Sequence, residues 1–230
     1  MLAALETSTR TCSVALYSLS RNERVAETIL AEGSEGASLL LPTLRDLLSQ
    51  EGMRAADLKA LAVSLGPGSF TGIRVGIASA QGLSLPTKMP VFGVSSLDAL
   101  AENLRFDGYV GEALCLMDAQ RGECFVGHYR VTEEGVKSLI EPTMLSPSKF
   151  QELLEGQAAV VGPGAIKYEK EIRESLGSMA LFPGASSHQP RAFSLAKIAA
   201  ERWRAGERPL LSELKPMYLR LAAPDEIKKK

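Results

Sequence analysis

Residues 66–72 read Gly66-Pro67-Gly68-Ser69-Phe70-Thr71-Gly72, set between an apolar run at 61–65 and a helix-like run at 73–85. A second Gly162-Pro163-Gly164 follows the apolar run 158–161 and also leads into a helical pattern. Glycine and proline between a short apolar run and a helical period mark strand, turn and helix. Two such units in one chain predict a duplicated α/β fold with two backbone-lined loops.

The order around them repeats as well. Residues 2–5, 12–17 and 25–30 read as strands, with Ser20-Arg21-Asn22 as the turn between the last two. Leu40, Leu41, Leu44, Leu47 and Leu48 recur at helical steps, with Gly52 as a stop. Residues 91–94 form a strand, and Ser95 or Ser96 caps a helix ending near 104. The second pass predicts strands at 113–117, 124–131 and 136–145, a helix at 146–154, a strand at 158–161 and a late helix at 193–203. Laid over each other without a gap, 6–17 and 118–129 align Glu6 with Asp118, Cys12 with Cys124, Val14 with Val126 and Tyr17 with Tyr129. The expected subdomains are 1–105 and 106–230, the last helix and tail being candidates to return to the first. The final Lys228-Lys229-Lys230 reads as a solvated end.

A chain with 45% apolar and 23% charged residues can bury a core. Its net charge of −1 gives no global footprint for nucleic acid, so any RNA would be met through a local patch or a partner. Cys12, Cys115 and Cys124 form no Cys-x-x-Cys pair, and an odd count argues against a disulfide framework. No basic stretch precedes the first apolar run, which Glu6 interrupts, and no stretch approaches the roughly 20 apolar residues that span a bilayer. The expectation is a reduced, cytoplasmic protein with no membrane contact.

A Gly-Pro-Gly loop ahead of a helix can cradle phosphate with its amides and the helix N-terminus. No lysine lies between 61 and 87, and Gly66, Gly68 and Gly72 carry one residue too many for a dinucleotide fingerprint. The spacing favours a tight turn whose Ser69 or Thr71 caps the next helix. Along that helix Gly72, Gly76 and Ala80 repeat every four residues beside Ser79, a stripe of small residues that lets another backbone approach, either that of its own sheet or that of a partner. Glu6 and Asp118 end the first strand of each half and are candidates to face a nucleotide or its metal. His128 and His188 lack partners at metal-ligand spacing, and Cys12 and Cys124 sit in apolar strand patterns as core residues.

Five blocks, Glu6-Thr-Ser-Thr, Gly66-Pro-Gly-Ser-Phe-Thr-Gly-Ile-Arg74, Gly93-Val-Ser-Ser-Leu97, Asp118-Ala-Gln-Arg-Gly122 and Pro216-Met-Tyr-Leu-Arg220, resemble in order the signatures of the TsaB family. These are bacterial tRNA threonylcarbamoyladenosine biosynthesis proteins. The resemblance implies an actin-like ATPase fold of two duplicated ribonuclease-H-like subdomains with mixed sheets. It also implies a non-catalytic partner in placing threonylcarbamoyl on adenosine 37 of tRNAs that read codons beginning with A.

In that family a paralogue, TsaD, carries a metal-binding histidine pair and transfers the group, and the ATPase TsaE joins; alone, the family member pairs as a homodimer. No His-x-x-x-His occurs here, and Gly36 or a neighbour stands where relatives often carry a histidine before Leu40-Leu41-Pro42. Glu6 replaces the usual aspartate, which weighs against independent ATP chemistry. The resemblance implies no catalytic residue, no metal and no required cofactor, with at most weak ATP or ADP binding. Its nucleotide-facing positions map onto Glu6, Ser8, Thr9, Gly66, Gly68, Ser69 and Asp118. The partner-facing helices map onto residues 36–48 and 72–83, with Leu40, Leu41, Leu44, Leu48, Gly72, Val75, Gly76, Ser79, Ala80 and Leu83 at the surface.

Two other activities compete. A stand-alone small-molecule kinase of the same superfamily needs a competent acid and base, for which Glu6 and Asp118 are the candidates. A metallopeptidase needs the missing histidine pair.

Overall fold

A computed structural model describes residues 1–30, 35–217 and 219, and the side chains of 38 onward within the first helix. Gly36 as an interface position, Tyr218, Arg220 and lysines 228–230 therefore lie outside the described residues. The first half runs β1 (Leu2–Glu6), β2 (Ser13–Ser18), β3 (Glu23–Ile29), α1 (Glu35–Gln50), β4 (Ala60–Gly66), α2 (Phe70–Ser84), β5 (Val91–Ser95) and α3 (Ser96–Phe106). The second runs β6 (Gly111–Gln120), β7 (Glu123–Val131), β8 (Val136–Ser138), β9 (Thr143–Leu145), β10 (Ala158–Val161), α4 (Pro163–Lys167), α5 (Glu169–Leu176), β11 (Ala180–Leu181) and α6 (Ala192–Arg204).

Both sheets are mixed and share one plan. The first has the order β3-β2-β1-β4-β5, and the second β11-β10-β6-β7-β8 with β9 also on β7. In each, an antiparallel hairpin (β1–β2, β6–β7) supplies a strand that then pairs in parallel with the strand of its Gly-Pro-Gly unit (β1–β4, β6–β10). The central strands are continuous apolar runs because helices cover both their faces.

On one face of the first sheet, Leu40, Leu44 and Leu48 of α1 and Ile73 and Ile77 of α2 pack against Leu5, Val14, Leu61 and Val63. The other face is covered from the far half of the chain: Leu195, Ala196 and Ala199 of α6 meet Leu2, Ala4, Ala62 and Phe92. Reciprocally, Leu97, Leu100 and Leu104 of α3 pack on Ala113, Cys115, Tyr129 and Val161 of the second sheet. Each half thus lends its last long helix to the other half's sheet. Asn103 and Ser194 join the two helices through a 2.6 Å hydrogen bond from the serine hydroxyl. The first amides of α6 are satisfied across the sheet: Ala192 N–H donates to Ser13 Oγ at 2.9 Å and Phe193 N–H to Glu27 Oε1 at 3.0 Å.

Several local expectations change. The 136–145 segment is two short strands on β7 separated by Glu141-Pro142, because proline has no amide to continue a ladder. The 146–154 segment is a 3-10 helix at Pro147–Leu153; over seven residues, apolar spacing does not separate a period of about 3.0 from 3.6. The gapless overlay of 6–17 on 118–129 slips by one residue. Tyr17 faces Leu2 and Tyr129 faces Ala113, so the pairing partner equivalent to Asp118 is Thr7, and that of Glu6 is Met117. The two Gly-Pro-Gly units also differ. Gly68 precedes the cap Ser69, whereas Gly162 is itself the cap of α4, with Pro163 and Gly164 already in the helix.

Candidate functional site

At the carboxyl ends of β1 and β4, the first Gly-Pro-Gly loop closes against the β1–β2 turn. Gly66 sits at φ +93° and joins Pro67 through a cis bond. The Ser69 amide donates to Ser8 O at 2.7 Å, and Ser69 Oγ accepts from the Gly72 amide at 3.2 Å, so it is Ser69 that caps α2. Two amides that could face an anion are therefore engaged within the chain. Gly68 is closed on its Cβ side: a Cβ there would overlap Ser8 O and stand 3.0 Å from Met117 Cε, so it is wedged between the two halves.

Glu6, Thr7 and Ser8 are closed off from solvent. Glu6 Oε1 accepts the Ser8 amide, while Glu6 Oε2, Thr7 Oγ1 and Ser8 Oγ have no hydrogen-bond partner among the described residues. Burial pushes the Glu6 carboxyl up, against the opposing effect of neighbouring Ser8. Thr9 is half-buried and closes a local turn, its hydroxyl donating to Thr11 O at 2.9 Å. The family resemblance implies a nucleotide at this place, and these residues do not fit one. A desolvated carboxyl offers no attraction to phosphate, and the glycine that would admit the backbone is already in contact with Ser8 and Met117.

Asp118 lies apart from that cluster in bonding. Lys167 Nζ donates to it at 2.6 Å, Tyr168 OH at 3.0 Å, the Gln120 amide at 2.9 Å and Gln120 Nε2 at 2.7 Å. Burial pushes its carboxyl up, but Lys167, Gln120 and Tyr168 outweigh that and hold it below the usual aspartate range. A carboxylate so stabilised is a weak base. No hydrogen bond joins Asp118 to Glu6 among the described residues.

The histidines and cysteines have structural surroundings. His188 Nδ1 accepts the Gly162 amide at 3.2 Å, which ties it to the cap of α4, and His128 Nε2 lies 2.9 Å from Glu112 Oε2. All three cysteines are buried; burial raises each thiol, Cys124 to about 12. Among the described residues no cluster of three or more His, Cys, Asp or Glu side chains is placed to hold a metal.

The α1–α2 face divides the expected interface list in two. Gly72, Gly76 and Ala80 turn inward: a Cβ on Gly72 would overlap Thr7 O, and one on Gly76 would overlap Thr7 Oγ1 and stand 3.2 Å from Val63 Cγ2. The small-residue stripe therefore serves the chain's own sheet. Leu40 is also wholly inside the core. Val75, Ser79 and Leu83 are half-buried, and Leu41 remains 42% exposed. Between the two helices lies an apolar groove of about 340 Å³ lined by Leu41, Leu44, Leu48, Met53 and Leu83, with Arg45 and Arg54 among its polar members. Met53 and Arg54 escaped the sequence reading because they follow the helix stop at Gly52 and belong to no periodic pattern.

Comparison with known proteins places these features in a family. A family model described as TsaD, tRNA N6-adenosine threonylcarbamoyltransferase, matches residues 35–212. The tRNA threonylcarbamoyladenosine biosynthesis protein TsaB of Escherichia coli K12 is 30% identical over 225 residues, covering 95% of this chain and 94% of that protein. Its namesake in Bacillus subtilis 168 is 30% identical, covering 96% and 94%. The solved structure of YeaZ from Pseudomonas aeruginosa has a TM-score of 0.83 at 28% identity, covering 95% of this chain and 99% of that one. A ROK hexokinase from Thermus thermophilus reaches a TM-score of 0.51 at 11% identity, covering 87% and 99%, a likeness of fold alone.

Proposed function

The chain belongs to the TsaB family of tRNA threonylcarbamoyladenosine biosynthesis proteins, and on that premise we propose that it is a non-catalytic subunit supporting threonylcarbamoyl transfer to tRNA. Its partner is a TsaD-type transferase, with a TsaE-type ATPase joining the assembly. The tRNA is met through the complex, in the cytoplasm, and no nucleotide is required by this chain itself. Among the described residues no helix is long and apolar enough to cross a membrane.

The observation that carries this reading is the open groove between α1 and α2. Leu41 and Leu83 stand at an apolar surface left uncovered among the described residues, while Glu6, Thr7 and Ser8 are shut away at the end of the sheet where a nucleotide would be handled. Open apolar area beside a closed polar site suits a binding subunit better than an enzyme. In the absence of the transferase, two copies pair through the same face. Titration of the isolated chain with a TsaD-type subunit tests the proposal: a one-to-one complex is expected, and no measurable heat or mass change at micromolar concentration contradicts it.

A further inference from the structure

The Pro216-Met217 end of the chain's last signature block lies beside the Gly-Pro-Gly loop. After α6, Gly206 turns the chain at φ +88°, and residues 209–217 run back over the first sheet. Leu214 is buried in the core shared by α1 and α2, and the Met217 amide donates to Leu65 O at 2.8 Å. That carbonyl needs the donor. The β4–β5 pairing shifts between Ser64 and Gly66, so Leu65 is left out of the ladder register and its carbonyl gains its partner from outside the sheet.

The next residue, Gly66, is held from two sides. A Cβ on it would stand 2.7 Å from Ile73 Cδ1 of α2 and 3.6 Å from Met217 O. A hollow of about 140 Å³ lies beside the strap, lined by Leu65, Gly93, Arg202, Leu210, Glu213 and Leu214 among others. Arg202 of α6 fixes the turn that precedes it, donating from Nη1 to Gly93 O and from Nε to Glu207 Oε2, both at 2.8 Å.

We propose that residues 209–217 are a latch that fixes the Gly-Pro-Gly loop and the start of α2, so that the α1–α2 face receives its partner only with the strap seated. The inference rests on the partner reading of that face. Leu214 shares a core with Ile73 of α2, and Met217 meets Leu65 and Gly66, whose Cβ position abuts Ile73, so a change in the strap reaches α2 from its sheet side.

The test compares Met217→Pro, which deletes the amide donor, and Leu214→Ser, which unseats the strap, with Lys215→Ser as an exposed control. Amide exchange over residues 66–76 is read on the isolated full-length chain, and affinity for a TsaD-type subunit by calorimetry. Loss of one hydrogen bond predicts about fivefold faster exchange for Met217→Pro with an unchanged circular dichroism spectrum. A several-fold weaker complex accompanies it, and Lys215→Ser changes neither reading. Unchanged exchange in Met217→Pro overturns the latch, even if Leu214→Ser unfolds the chain. Faster exchange with unchanged affinity overturns its coupling to the partner face. If the wild-type chain does not bind the subunit, the partner reading fails and the coupling with it, while the exchange result still decides whether the strap holds the loop.

Discussion

Gly76 of α2 lies directly on Thr7 at the end of β1, close enough that a Cβ on the glycine would overlap the threonine Oγ1. That hydroxyl is buried and has no hydrogen-bond partner among the described residues. The contact explains why a helix interior tolerates glycine, at a cost of roughly 1 kcal/mol relative to alanine: the helix approaches the sheet through it.

Gly76→Ala is therefore expected to destabilise the fold by about 1–3 kcal/mol, the added methyl outweighing its helix propensity. Thr7→Ala removes the group it collides with and costs little alone, since no hydrogen bond is lost. The double variant should recover most of the loss, and urea unfolding of all four proteins reads the coupling. Strictly additive effects would contradict the contact. Gly72→Ala, which meets the Thr7 backbone oxygen, should not be rescued by Thr7→Ala.

Leu41 and Leu44 separate the two roles of α1. Leu44 is 2% exposed in the core, and Leu44→Ala should cost about 2–5 kcal/mol of stability. Leu41 is 42% exposed at the groove, so Leu41→Lys should leave stability within about 0.5 kcal/mol while weakening the transferase complex at least about tenfold. Thermal melts and calorimetry on the same preparations distinguish the outcomes.

Glu6 sets a pH dependence whose sign follows from its burial. Its folded pKa is raised, so the folded state holds the proton where the unfolded chain has released it. The stability it contributes is full below the ordinary glutamate value of about 4.3 and is lost as pH rises through the folded value. Glu6→Gln keeps an acceptor for the Ser8 amide and should gain stability relative to wild type as pH rises from about 4.3, with no gain below. Parallel slopes of the two proteins in urea unfolding across that range would sink this account.

Asp118 carries the opposite sign. Its folded pKa is depressed, so its contribution is present above the ordinary aspartate value of about 3.9 and is lost as pH falls through the folded one. Lys167 is 45% exposed, which screens the pair, so Asp118→Asn should cost only about 1 kcal/mol at neutral pH. The isolated chain should show no steady ATP turnover. A turnover that Asp118→Ala abolishes would favour the kinase reading instead.

Much of this fold is legible in the sequence because buried strands flanked by Gly-Pro-Gly and capped helices leave local marks. Sequence grounds narrow the caps to Ser69 or Thr71 and to Ser95 or Ser96, and the structure uses Ser69 and Ser95. The one-residue slip between the hairpins is not legible, since cross-strand pairing depends on the turn between the strands and not on residue identity at its ends. Nor is the exchange of α3 and α6, which depends on which sheet an amphipathic helix meets. Glu27 satisfying the start of α6 lies 166 residues from Phe193 and leaves no local signal. At the site, the four-residue stripe Gly72, Gly76 and Ala80 is legible as a close approach. Its direction, inward onto Thr7, is settled only by the packing of α2 on β1.

The most direct test is reconstitution of tRNA modification from threonine, bicarbonate and ATP with the adenylate-forming enzyme and TsaD- and TsaE-type subunits, with and without this chain. The account expects threonylcarbamoyladenosine to accumulate only when the chain is present, and Leu41→Lys to support it poorly. Equal yields with the chain omitted would contradict it.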